Sequence, residues 1–115
     1  MNPYQFSRLN QYRSMWVLVL FDLPTTNREE RKIASDFRGK LLKDGFCMFQ
    51  YSIYTRFCPS RENADVHIRR VKKALPKNGH VAVIRITDKQ FGLIEIFQGQ
   101  KNIEPEKSVT QLQLF

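Results

Sequence analysis

The longest unbroken apolar run in the chain is Met15 to Phe21. Both alternating sets of positions are apolar, and Val17 and Val19 are β-branched. A strand buried on both faces has this pattern, so the run predicts a central strand. Asp22-Leu23-Pro24 ends it, because proline has no N–H for a central ladder. Thr26 to Glu29 then fits a capping box, with the Thr26 hydroxyl accepting from the Glu29 amide. Ile33, Ala34, Phe37, Leu41 and Leu42 follow at helical spacing, and Arg28, Arg31, Lys32, Ser35, Arg38 and Lys43 lie off that face. Gly45 suits the helix stop, since glycine accepts a positive φ without penalty. Phe46 to Phe57 is rich in aromatic and β-branched residues. It reads as one long strand, or as two short strands with a bend near Gln50–Ser52. No glycine or asparagine marks a tight hairpin there, so both readings stand.

Pro59-Ser60 opens a second helix with Ser60 as N-cap. Its apolar stripe is Ala64, Ile68, Val71 and Leu75, and Pro76 and Gly79 end it. His80 to Thr87 is a further strand that carries one charge, Arg85. Thr87 to Gln90 reads as a turn, and Phe91 to Phe97 as a short strand or a single helical turn leading into one. Lys101 to Lys107 is a polar tail segment, and Ser108 to Phe115 alternates like an edge strand. The expected division is an N-terminal extension over 1–14, one domain over 15–100 and a tail with an edge strand over 101–115. Strand–helix–strand(s)–helix–strand predicts an α+β domain of ferredoxin-like βαββαβ type, with both helices on one sheet face and an additional C-terminal strand. A central strand apolar on both sides implies that the other face is buried too, most simply against a second copy in a homodimer.

The chain has 115 residues, of which 42% are hydrophobic and 26% charged, which fits one globular domain and excludes a wholly disordered chain. Nineteen basic against eleven acidic residues give a net charge of +8. That excess points to a polyanionic partner, nucleic acid first and an anionic membrane surface second. Seven apolar residues cannot span a bilayer, which needs about 20. No small-residue cleavage site follows the run, so secretion is not expected and the cytoplasm is. Cys47 and Cys58 are too few for a disulfide framework. On one extended strand their odd offset would put them on opposite faces, so they read as buried thiols in a reducing compartment.

Asp22, at the end of a doubly apolar strand and just before a proline turn, is the most informative residue for chemistry. It is either a turn cap or a site carboxylate. As a site it suits Mg²⁺, which takes carboxylate oxygen and keeps several waters. Two copies of Asp22 facing across a two-fold axis would strengthen it. The basic residues fall in two sets: Arg28, Arg31, Lys32 and Arg38, then Arg69, Arg70, Lys72, Lys73 and Lys77. No acid interrupts the second set, which favours phosphate contacts over an ordinary salt-bridged surface. Phe49, Tyr51 and Tyr54 could stack bases. However, the RNA-recognition signature is absent, so core and dimer packing is the better reading. His67 and His80 read as incidental.

Val17-Leu18-Val19-Leu20-Phe21-Asp22-Leu23-Pro24-Thr25 with Glu30-Arg31-Lys32 resembles the small CRISPR-associated "Cas two" family. So do Gly45 to Tyr54, with a Gln-x-Ser-aliphatic-aromatic core, and Lys77 to Val81 running on to Ile86-Thr87-Asp88-Lys89-Gln90-Phe91. The last block looks like the variant found with single-effector (type II) systems. Together the three cover roughly residues 15–99 in the right order. The resemblance implies a ferredoxin-like homodimer that works in spacer acquisition, bridges dimers of the integrase "Cas one" and holds a protospacer duplex, double-stranded DNA, along a basic surface. It also implies a Mg²⁺-dependent endonuclease acting on RNA or DNA, with Asp22 as the metal and catalytic residue. A C-terminal strand that docks on the partners is implied as well, here Val109 to Phe115 with Val109, Gln111, Leu112, Leu114 and Phe115 in contact. The residues before Tyr12 extend beyond the family's usual start.

Overall fold

A computed structural model describes residues 13–103. Strand β1 (Met15–Asp22) is followed by helix α1 (Arg28–Lys43), β2 (Cys47–Gln50), β3 (Ile53–Cys58), helix α2 (Arg61–Ala74) and β4 (His80–Thr87). A short helix α3 (Asp88–Gly92) and a hairpin of β5 (Ile96–Gln98) and β6 (Lys101–Ile103) complete the described chain. The main sheet runs β2-β3-β1-β4, with every neighbouring pair antiparallel. This is a mixed α+β fold in the order β-α-β-β-α-β, with β1 central as its apolar pattern predicts.

Alternation along β1 sends Met15, Val17, Val19 and Phe21 to one face, where they pack with Phe37 and Leu41 of α1 and Ala64 and Val71 of α2. Both helices therefore cover the same face. Trp16, Leu18, Leu20 and Asp22 point the other way. Their register partners are Phe57, Thr55 and Ile53 on β3 and Ile86, Ile84, Ala82 and His80 on β4. The α3 turn closes one end of this second face. Phe91 stacks on Trp16 with centroids 3.8 Å apart, and the Trp16 indole N–H donates to Asp88 Oδ1 at 2.7 Å. The rest of that face is only half covered.

The stretch from Phe46 to Phe57 resolves into two strands. The turn at Tyr51–Ser52 is made by Ser52 at φ 68°, and Phe21 N–H donates to the Ser52 carbonyl at 3.0 Å. Asparagine and aspartate dominate such left-handed positions apart from glycine, which is why serine left the turn unmarked. The α1 cap sits one residue beyond the predicted box. Asn27 accepts from Glu30 N–H at 2.8 Å, while the Glu30 carboxylate accepts from the Thr26 hydroxyl and the Asn27 amide. Asparagine is the stronger cap, and the second glutamate is the one in reach. Leu42, expected on the buried face, is exposed because α1's stripe is narrower. At the other end, Gly45 at φ 90° completes a Schellman closure, with Phe46 N–H to Leu41 O at 3.0 Å and Gly45 N–H to Leu42 O at 3.1 Å.

Ser60 caps α2 as predicted, accepting from Asn63 N–H at 3.0 Å. The predicted turn at Thr87–Gln90 is instead the cap and first residues of α3, and Lys101–Ile103 is a strand rather than a polar tail. No helix among the described residues is long and apolar enough to cross a membrane. The N-terminal extension and the edge strand expected over Ser108–Phe115, with its contacts Val109, Gln111, Leu112, Leu114 and Phe115, lie outside the described residues.

Candidate functional site

One end of the sheet gathers the residues of chemical interest. Asp22 closes β1 on the face that the helices leave bare, and its side chain is exposed. The antiparallel register puts His80, the first residue of β4, directly opposite. His80 is also exposed, and neither side chain is taken up by a hydrogen bond or ion pair with a described residue. Gly79 makes this approach possible. It sits at φ 93°, and a Cβ there would lie 2.8 Å from the Asp22 carbonyl oxygen and 3.1 Å from Leu23 Cα. Neither backbone atom can give way cheaply. The described residues contain no group of three or more His, Cys, Asp or Glu side chains placed to hold one metal ion. A single chain therefore offers Asp22 as one oxygen donor, with His80 beside it.

The basic residues divide by what they touch. Arg38 lies in α1 with its guanidinium carbon 5.0 Å from the Tyr51 ring centroid and 5.7 Å from that of Phe21, and Nη2 donates to the Tyr51 hydroxyl at 3.1 Å. Arg31 donates to the Thr25 carbonyl at 3.3 Å. Arg70 is bound to Asp44 Oδ1 at 2.7 Å. Arg28, Lys32, Arg69, Lys72, Lys73 and Lys77 make no ion pair with a described residue. Arg69, Lys72 and Lys73 are exposed on α2 at spacings of three and four, which makes one outward stripe. Arg28 and Lys32 form a similar pair at the start of α1, while Lys77 follows the end of α2.

His67 is not incidental. Its ring is buried, and Nδ1 lies 2.8 Å from Asp44 Oδ2, where the carboxylate accepts. Burial pushes the Asp44 carboxyl up, but the hydrogen bonds and charges of His67 and Arg70 outweigh it and hold the pKa below its ordinary value. The Asp44 carbonyl meanwhile accepts from Arg56 Nε at 2.8 Å. A break in the apolar stripe of α2 at one histidine was the only trace of this cluster in the sequence.

Of the three aromatics, Tyr54 is core and Phe49 packs near Phe91, with centroids 6.0 Å apart. Tyr51 is 74% exposed on the β2–β3 turn and so is not part of the core of the single chain, where its contact is with Arg38. Neither cysteine is in a disulfide, and burial pushes both thiols up in pKa, so neither is poised as a thiolate nucleophile.

Residues 15–94 match the model of the family described as CRISPR associated protein Cas2. A protein named "CRISPR-associated endoribonuclease Cas2" from Flavobacterium psychrophilum is 62% identical over 110 residues, covering 96% of this chain and 96% of that one. Another of the same name from Parvibaculum lavamentivorans is 48% identical over 101 residues, covering 88% of this chain and all of that one. A solved structure titled "Crystal structure of cas2" superposes with a TM-score of 0.52 at 20% identity, over 79% of this chain and 95% of that one, a likeness of fold.

Proposed function

The chain belongs to the CRISPR-associated Cas2 family, and from that premise we propose that it is a spacer-acquisition subunit of the cytoplasm. We read its β-α-β-β-α-β core as ferredoxin-like, paired with a second copy through the bare sheet face. In this reading the homodimer bridges dimers of the integrase "Cas one" and holds protospacer duplex DNA along its helices. One observation carries it: Arg69, Lys72 and Lys73 line the outer face of α2 without an acidic partner among the described residues. Unpaired cations on a rigid helix suit a phosphate backbone, and they position a duplex without reading its sequence.

The test is the triple change Arg69→Glu, Lys72→Glu and Lys73→Glu. Duplex binding weakens irrespective of sequence, and the slope of log affinity against log salt falls by about 0.9 for each phosphate that is no longer neutralised. Unchanged affinity and slope in a fluorescence-anisotropy titration overturn the reading.

A second reading is a metal-dependent endoribonuclease centred on Asp22. The names of the relatives and the exposed position of Asp22 at a strand end favour it. The donor chemistry fits Mg²⁺: a free carboxylate open to solvent holds such an ion while leaving it most of its waters. The chemistry an ion supplies there when bound is polarisation of a phosphoryl oxygen. Asp22 would be its ligand, and β1 would hold that carboxylate fixed at the end of the sheet. Asp22→Ala separates the two readings. Retained integration with lost RNA cleavage assigns the residue to the nuclease alone, and loss of both makes it part of acquisition.

A further inference from the structure

Tyr51 is the most exposed large hydrophobic side chain among the described residues. Exposed aromatics are ordinarily free to turn, but this one is held. Its hydroxyl accepts from Arg38 Nη2 at 3.1 Å, and the Arg38 guanidinium carbon lies over its ring, 5.0 Å from the centroid. The same guanidinium lies over the Phe21 ring at 5.7 Å, so the cation is shared between two aromatic faces. The turn below is fixed as well, because Phe21 N–H donates to the Ser52 carbonyl at 3.0 Å. One face of the phenol is therefore backed by a cation, and its exposure belongs to the rest of the ring. Arg38 makes no ion pair with a described residue, and its Nε is buried without a hydrogen-bond partner among them. No described carboxylate neutralises the charge behind the ring. Phe21 belongs to the core beneath α1, so the cluster stands on the helix side of the sheet, clear of the bare face proposed to pair with a second copy.

We infer that Tyr51, held by Arg38, is a stacking platform for an unpaired nucleobase, so that the chain grips single-stranded nucleic acid at the β2–β3 turn. The inference rests on the chain being a nucleic-acid-binding protein, and it adds a grip on bases to the phosphate contacts of α2. Every base has a π face, so an aromatic ring fixed in one orientation takes any of them, and a cation beside it draws the adjoining phosphate. Bases inside a duplex are stacked on one another and offer no free face. The net charge of +8 favours the same polyanion. Of the three aromatics that could stack bases, Tyr51 is the one with an open ring, since Tyr54 is core and Phe49 packs near Phe91.

The test measures fluorescence anisotropy of short labelled single strands, one RNA and one DNA of the same sequence, in EDTA so that no strand is cleaved. A long duplex and a single strand with abasic positions serve as comparisons. Tyr51→Ala is expected to weaken the single strands about 5–150-fold and to leave the duplex and the abasic strand unchanged. Tyr51→Phe keeps the parent's affinity, because the ring and not the hydroxyl meets the base. A 2-aminopurine in the strand is quenched on binding the parent and much less on binding the Tyr51→Ala protein. The strand that binds the parent more tightly identifies the source as RNA or DNA. Tyr51 is exposed on a turn, so its variants keep the parent's circular dichroism. If Tyr51→Ala binds both single strands as tightly as the parent, the inference fails, while the reading of α2 stands on its own triple variant. An equal loss on duplex and single strand, or a Tyr51→Phe protein as weak as Tyr51→Ala, also overturns base stacking. If the parent binds neither duplex nor single strand, the nucleic-acid reading itself fails and the inference with it.

Discussion

Asp44 ties three elements together from the end of α1. Its carboxylate accepts from His67 and Arg70 of α2, and its carbonyl accepts from Arg56 of β3. Since its carboxyl is held below the ordinary 3.8, the stability it contributes is fully present above that pH and is lost as pH falls through the lowered folded value. Asp44→Asn removes the charge and leaves His67 buried with a weaker partner. The expected cost is about 1–3 kcal/mol at pH 7 and less at acid pH, because it shrinks as pH falls through the parent's lowered carboxyl value. Urea midpoints of both proteins at pH 7 and at acid pH measure this, and an equal gap at both would refute it.

Among the elements, α3 does more than its five residues suggest. It is the cover over the one tryptophan, whose ring is fully buried between Phe91 and the edge of Phe57. Phe91→Ala removes that cover and should cost about 3 kcal/mol. Trp16 emission should move to longer wavelength while far-ultraviolet circular dichroism keeps the sheet signal. An unshifted emission would mean that other residues shield the indole. The elements also show what a sequence makes legible. β1 and the α2 cap are local patterns, two apolar parities and a serine before a helix, and both stand as read. The β2–β3 break hangs on the conformation of Ser52, a residue that gives no warning of a positive φ. The pairings of His67 with Asp44 and of His80 with Asp22 join residues far apart in the chain. Register and packing bring them together, and spacing along the chain carries neither. Asp22 was legible as a candidate site because a carboxylate after a doubly apolar strand is conspicuous, whereas its neighbour His80 was not.

At the scale of the molecule the two faces of the sheet are unequal. Helices seal one, while the other shows Leu18 and Leu20 half-covered and Ile84 44% exposed beyond the reach of α3. If the proposed pairing with a second copy uses this face, Ile84→Lys turns the dimer into a monomer at micromolar concentration with its secondary structure intact. Light scattering reads the mass directly, and an unchanged mass would place the contact elsewhere. The central position of β1 also has a consequence in time. It leaves the ribosome before both of its neighbours, which lie at Ile53–Cys58 and His80–Thr87. At about 5–20 residues per second, the most apolar segment of the described chain waits seconds for its last partner. Once β3 has emerged, the edge of β1 that β4 will cover is still open to any strand nearby. Slower translation between Cys58 and His80 should lengthen the vulnerable interval, so synonymous codon changes in that stretch bear on the yield of soluble protein although they leave the folded molecule untouched.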